Sequence, residues 1–286
     1  MSVVGVAGAG FMGSGIAQAV AAAGRQVVLY EPTQPPLERS RAGLRESLER
    51  SVARGRLEDA AAAATIERIA YTTELSDLAG AGVLIEAVVE DRAVKRELFS
   101  RLDAAAPGAA FLASNTSSIP IGELAAATMR PERVLGLHFF SPVPVMKLVE
   151  IVVALETAPA TVAAAEAFAA EVGKRAIRAK DRAGFVVNML LVPYLMAAVR
   201  MYEQGFAARE DIDAGMTLGC GHPMGPLTLC DFIGLDVLAA ICDSLYEEFR
   251  QPDYAPPPLL ARMVAAGQLG RKSGCGFYDY SGEAPA

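Results

Sequence analysis

The chain has 286 residues, 52% of them hydrophobic, and its 26 lysines and arginines against 33 aspartates and glutamates give a net charge of −7. That length and apolar content support a sizeable core in one large or two modest domains, while the acidic balance argues against nonspecific nucleic-acid binding and requires any anionic ligand to meet a local basic patch. No apolar stretch reaches the roughly 18 to 20 uninterrupted residues of a membrane span, no signal-peptide pattern opens the chain, and Cys220, Cys230, Cys242 and Cys275 form no C-x-x-C pair, so the expectation is a cytoplasmic protein with buried thiols, no membrane partner and no metal.

The first predicted element is a short apolar strand, Val3 to Val6, which runs into Gly8, Gly10 and Gly13 in a G-x-G-x-x-G arrangement and then into an alanine-rich helix, Ile16 to Ala23. In that context the motif is the phosphate-cradling turn of a dinucleotide-binding βαβ unit. Gly8 lets the chain turn sharply, Gly10 removes a side chain that would block a pyrophosphate, and Gly13 lets the helix pack against the strand. The helix start offers unpaired N–H groups and a positive dipole end to the phosphates. A second strand, Gln26 to Tyr30, ends in Glu31, 21 residues after Gly10, where an acid accepts hydrogen bonds from an adenosine ribose. Its carboxylate also repels a 2′-phosphate, which favours NAD over NADP; Arg25 and Arg39 are the nearby cations that would offset this.

An arginine-rich segment, Pro36 to Arg68, is long enough for two helices inserted outside the sheet, with Gly55 as the break. Further apolar runs at Val83 to Val88, Ala110 to Ala113, Val134 to Phe140 and Leu148 to Val153 alternate with helix-length segments, and Lys174 to Ala179 adds a last strand. Such alternation predicts a parallel doubly wound sheet. Ser114, Asn115, Thr116, Ser117 and Ser118 end one strand at its carboxyl edge, where such folds place ligands. Ser118 is expected to cap the helix that starts near Pro120, and others of the five to face cofactor or substrate.

His138 and His222 are the only histidines. His138 lies near the end of a strand, and the chain turns through Ser141, Pro142, Val143 and Pro144 into the next. If the two strands fold back about Pro144, residue 138 lies opposite residue 150, a glutamate. A carboxylate beside an imidazole fixes its tautomer and stabilises the imidazolium, as a general acid–base pair requires; a strand histidine satisfied by a core hydrogen bond is the competing reading. His222 falls in a Pro- and Gly-rich joint and reads as a loop residue. From Gly184 the pattern becomes long apolar helices. The division expected is therefore an α/β Rossmann domain with a helical insertion over residues 1–180 and an all-α domain over 181–286, in which Phe185 to Met201 is apolar enough to form a dimer interface.

Eight segments in order, GAGFMGSGIAQAVAAAG, VLIEAVVED, LASNTSSIPI, LGLHFFSPVPVMKLVEIV, GFVVNMLLVPYL, EDIDAGMTLGCGHPMGPL, DFIGLD and GRKSGCGFYDY, make the chain closely resemble the short-chain L-3-hydroxyacyl-CoA dehydrogenases, including 3-hydroxybutyryl-CoA dehydrogenases. The resemblance implies a homodimeric oxidoreductase of fatty acid metabolism that uses NAD to convert a 3-hydroxyacyl-CoA to the 3-oxoacyl-CoA reversibly. It implies His138 and Glu150 as the catalytic dyad, Ser117 on the substrate hydroxyl and Asn188 on the substrate side. It further implies cofactor contacts at Gly8, Gly10, Gly13, Glu31, Glu90, Lys95 and Asn115, with Glu31 where relatives carry Asp. Arg50 and Arg54 correspond to its CoA-contacting basic residues; a solvated helix face is the other reading of these two. Ser141 stands where most relatives have Asn, which leaves open the same chemistry on a hydroxyacyl or glyceryl group carried by acyl carrier protein. A noncatalytic NAD-binding redox sensor is the alternative of another class.

Overall fold

An apolar strand gives way to a helix at the glycine-rich turn, as its spacing predicts. Strand β1 (Val3–Ala7) is buried from Val4 onward, helix α1 (Phe11–Ala22) starts directly after Gly10, five residues earlier than predicted, so that Gly13 lies within its first turn, and strand β2 (Val27–Tyr30) lies parallel to β1 with Val27 opposite Val4. The inserted segment forms helices α2 (Gln34–Ala53) and α3 (Asp59–Glu67), broken near Gly55, whose φ of +64° suits glycine. Leu37, Leu44 and Leu48 recur at helical spacing and supply the buried face of α2. Strand β3 (Ile69–Thr72), absent from the strands predicted above, pairs parallel with β2. Only Ile69 of its four residues is buried, so it lacks the apolar run by which interior strands are recognised.

Strand β4 (Ala81–Glu86) starts and ends two residues earlier than predicted, because the Val88 N–H turns back onto the Glu86 carboxylate and the chain leaves the sheet. Helix α4 (Arg92–Ala105), strand β5 (Phe111–Ser114), helix α5 (Ile121–Ala125), strands β6 (Val134–Phe139) and β7 (Leu148–Val153), helix α6 (Pro159–Glu171) and strand β8 (Arg175–Lys180) follow. Among the described residues, 3–282 of this computed structural model, one eight-stranded sheet has the order β3-β2-β1-β4-β5-β6-β7-β8. Every neighbouring pair is parallel except β6 and β7, which form the antiparallel hairpin. Val6, Leu29, Ile85, Phe111 and Leu135 from the strands pack with Ile16 and Val20 of α1 and Phe168 of α6 in one core. Strand β1 lies between β2 and β4, so the order of connection reverses beside it, and the crevice that binds ligands in doubly wound sheets opens at the carboxyl ends of these strands.

A second compact unit begins between Arg182 and Ala183. Helices α7 (Val187–Glu203), α8 (Arg209–Cys220), α9 (Pro226–Ile233), α10 (Leu235–Phe249) and α11 (Pro258–Ala265) form it around Val192, Leu195, Met196, Leu227, Leu238 and Leu260. The apolar run around α7 is largely enclosed by its own unit, through Val192, Leu195, Met196 and Val199, while Leu190 remains 73% exposed. Asp213 and Asp231 are buried beneath the last turns of the chain, accepting backbone N–H groups of Leu227 and Thr228, and of Phe277 and Tyr278, respectively. Cys230 and Cys242 are buried, but Cys220 is exposed and Cys275 half-buried. The expectation of four buried thiols fails at Cys220 because it ends α8 just before Gly221, a left-handed surface cap. Among the described residues no helix is long and apolar enough to cross a membrane.

Candidate active site

The glycines differ in what requires them. Gly8 has φ +109°, and a Cβ there would lie 2.5 Å from the Ala87 carbonyl oxygen; one on Gly13 would lie 1.8 Å from the Gly8 carbonyl oxygen. Both are fixed by the packing of β1 against α1 and the β4 edge. A Cβ on Gly10 would meet nothing within 4 Å, so the face of the turn at the start of α1 is open to an incoming group, and no side chain caps that helix. Glu31, at the end of β2, places Oε2 3.0 Å from the Ala9 N–H it accepts. An open, uncapped helix start with a carboxylate at its rim fits a dinucleotide: N–H groups for the pyrophosphate, Glu31 for the ribose. Arg25, one of the two cations near enough in sequence to receive a 2′-phosphate, is buried and paired with Glu171.

At the carboxyl ends of β4 and β5 the polar cluster is organised by two glutamates. Glu86 is fully buried, accepting from the Ser114 hydroxyl at 2.6 Å and from Lys95 Nζ at 2.6 Å. Lys95, 1% exposed, also lies 3.3 Å from Glu90 and from the Val88 carbonyl. Glu90 in turn accepts from the Thr116 hydroxyl, the Ser117 N–H and the Ser118 hydroxyl. Burial pushes the Glu90 carboxyl up, but the Lys95 ammonium and these hydrogen bonds outweigh it and hold the group below the ordinary glutamate value. Ser118 therefore does not cap α5. Its hydroxyl is drawn to Glu90, and the first N–H groups of α5, Ile121 and Gly122, donate instead to the carboxylate of Asp181.

Across the hairpin, His138 stands opposite Glu150 in the register, as the distance of each from Pro144 predicts. Nδ1 of His138 lies 2.7 Å from Glu150 Oε2, with Glu150 fully buried and His138 7% exposed. Asn115 Oδ1 accepts the Phe139 N–H, which ties the end of β6 to the loop after β5. The Phe140 ring lies edge-on to the imidazole, centroids 4.7 Å apart. The first unit thus brings together the glycine turn, Glu31, Glu90, Lys95, Asn115, Ser117, His138 and Glu150 along the carboxyl edge of one sheet. An oriented imidazole beside a dinucleotide cradle can exchange a proton with a substrate hydroxyl.

Over residues 3–182 the chain matches the family described as 3-hydroxyacyl-CoA dehydrogenase, NAD binding domain, and over residues 184–280 the 3-hydroxyacyl-CoA dehydrogenase, C-terminal domain. It belongs to this family. The 3-hydroxybutyryl-CoA dehydrogenase of Mycobacterium tuberculosis is 54% identical over 97% of this chain and 98% of its own length, and the mitochondrial hydroxyacyl-coenzyme A dehydrogenase of Homo sapiens is 45% identical over 96% and 90%. The crystal structure of (S)-3-hydroxybutyryl-CoA dehydrogenase from Ralstonia eutropha superposes with a TM-score of 0.92 at 44% identity, covering 98% of this chain and 99% of that one. The protein is a 3-hydroxyacyl-CoA dehydrogenase, an oxidoreductase that uses NAD to oxidise a 3-hydroxyacyl-CoA.

In this dehydrogenase, Asn188 is a buried residue of α7 in the second unit. Arg50 is exposed on α2 and paired with Glu46, and Arg54 is the exposed residue that ends the helix. His222 lies in the loop after α8, Nδ1 3.2 Å from the Tyr194 hydroxyl, as a loop role requires. Glu86 escapes the sequence reading although it joins Lys95 to Ser114. The only signal was an acid at the end of an apolar strand, in VLIEAVVED, where a buried charge needs a partner.

Proposed function

We propose that this dehydrogenase oxidises short-chain L-3-hydroxyacyl-CoA thioesters of the 3-hydroxybutyryl class, with His138 as the base. The observation that carries the assignment is the buried 2.7 Å contact between His138 Nδ1 and Glu150. With Nδ1 turned to Glu150, Nε2 accepts the 3-hydroxyl proton, and Glu150 stabilises the imidazolium that results. Ser117 and Asn188 hydrogen-bond the substrate oxygens and orient C3. Gly8, Gly10, Gly13, Glu31, Glu90 and Asn115 hold NAD, and Lys95 contributes by fixing Glu90. Bound NAD supplies the hydride acceptor. In the reverse direction His138 returns the proton to the same oxygen.

The short acyl chain and the hand of the substrate are supported by relatives named for 3-hydroxybutyryl-CoA and for its (S) form. Those names also support CoA over acyl carrier protein as carrier, and a conserved chemistry over a noncatalytic sensor. Arg50 and Arg54 meet the CoA phosphates, and a cavity of about 430 Å³ between α2 and α3, lined by Leu48, Val52, Asp59 and Ile66, lies on the same helical insertion. The enzyme acts in the cytoplasm as a homodimer: Leu190, Phe206 and Leu218 of the second unit are 73%, 78% and 87% exposed, apolar area of the kind that subunit interfaces cover. Light scattering then gives about twice the 30.0 kDa chain mass; a stable, fully active monomer contradicts it.

A panel of 3-hydroxyacyl thioesters on CoA and on acyl carrier protein, each with NAD and NADP, tests the assignment. Highest kcat/KM is expected for L-3-hydroxybutyryl-CoA with NAD. Preference for the carrier-protein thioesters, or for a long acyl chain, overturns it.

A further inference from the structure

Lys174 has no part in the chemistry above, yet its environment is unusual. It begins the chain's entry into β8, is 9% exposed, and among the described residues forms no ion pair. Its ammonium instead donates to two backbone carbonyls, Val143 at 2.6 Å and Met146 at 2.7 Å. Burial pushes its pKa down from the ordinary lysine value, the signature of a charge held where its solvation is poor. A buried cation without a carboxylate is costly, so what it holds is informative.

Both carbonyls belong to the connection between β6 and β7, the segment that joins His138 to Glu150. The same connection is tied inward at further points. The Val145 and Met146 N–H groups donate to the Pro142 carbonyl, and the Arg175 N–H, next to Lys174, donates to Lys147. Val143 is 3% exposed and packs against α1, where a Cβ on Gly15 would lie 3.1 Å from Val143 Cβ. The segment begins with Phe140, whose ring borders the His138 imidazole, and with Ser141.

We propose that Lys174 is a positioning residue for the catalytic hairpin: by gathering the Val143 and Met146 carbonyls onto one buried ammonium, it fixes the turn that carries Phe140 and Ser141 and so sets the His138 ring against the substrate. The inference rests on His138 as the base. It predicts that loss of the ammonium lowers the chemical step while leaving most cofactor contacts in place, since Gly8, Gly10, Gly13 and Glu31 lie at the end of β1, at the start of α1 and at the end of β2, outside the hairpin.

The test compares K174M, which keeps the stem and loses the donors, with K174R, which retains donors for both carbonyls, and with H138Q. Expected for K174M is a fall in kcat of about 10- to 100-fold at saturating substrate, the usual consequence of a misplaced reacting group, with the NADH dissociation constant held within about twofold. K174R is expected to regain most of kcat. If K174M does not accumulate as folded protein, K174Q, with one donor pair, takes its place. Parental kcat in K174M beside an inactive H138Q overturns the role of Lys174 alone. Equal losses of kcat and NADH affinity, or no recovery in K174R, also overturn it by marking the lysine as a general packing element. An H138Q enzyme with near-parental turnover removes the base and this inference together.

Discussion

Glu150 presents a fully buried carboxylate to Nδ1 of His138 from the directly opposed position of the neighbouring antiparallel strand. The contact is a product of register: successive strand residues face opposite sides of a sheet, so a slip of one residue would turn one partner away from the other. The two residues are twelve apart in sequence and are joined by a turn, so the dyad is built from local structure.

Substitution of the proposed base by glutamine, His138→Gln, is expected to lower kcat by about two to four orders of magnitude, the usual contribution of general acid–base catalysis. NADH binding, measured by fluorescence titration, is expected to persist, because the glycine turn is formed by other strands. Turnover within tenfold of the parent, on the scale of that same contribution, would exclude His138 as the base.

Glu31→Ala is expected to weaken NAD binding and to raise the relative use of NADP, through loss of the ribose hydrogen bonds and of repulsion toward a 2′-phosphate. The rise is expected to be modest, since Arg25, one of the two cations close to Glu31 in sequence that would offset it, is already engaged by Glu171. Ratios of kcat/KM for the two cofactors report it, and an unchanged ratio would place the carboxylate away from the ribose.

Glu90 ties three consecutive residues of the 116–118 loop to Lys95, and its carboxyl is held below the ordinary glutamate value. A depressed acid contributes stability that is complete above its unfolded pKa and is lost as pH falls through the folded one. The parent should therefore melt above Glu90→Gln at pH 7, and the gap should narrow below about pH 4.3, the ordinary glutamate value. Thermal melts at the two pH values test this; a gap that widens in acid would refute the clamp.

Charge reversal at the helical insertion, Arg50→Glu with Arg54→Glu, is expected to raise KM for CoA thioesters while sparing short thioesters that lack the nucleotide. Because Arg50 is paired with Glu46, Arg54 alone should carry the larger share. The effect should shrink with salt, as exposed charges are screened over about 8 to 10 Å at ordinary ionic strength. Equal changes for both substrate kinds would deny these residues the CoA phosphates.

Much of this site is legible in the sequence because its parts are local. The glycine spacing, the acid after β2 and the symmetric placement of His138 and Glu150 about a turn are properties of short stretches. What escaped depends on side chains meeting from distant segments. Nothing in the local pattern around Ser118 shows that Glu90 competes for its hydroxyl, or that Asp181, sixty residues beyond Ile121, takes over the cap. Strand β3 escaped for a different reason: at the sheet edge, one buried residue in four leaves no hydrophobic period to detect.

Substitutions of the three glycines at the turn are expected to fail in different ways. An added methyl group at Gly8 or Gly13 collides with backbone atoms of the protein itself, so such variants are expected to fold poorly. At Gly10 the backbone has φ −71° and the space is open, so an alanine there is expected to fold and to obstruct the pyrophosphate. One motif is therefore expected to yield two classes of defective enzyme, one that fails to fold and one that folds yet turns over no substrate.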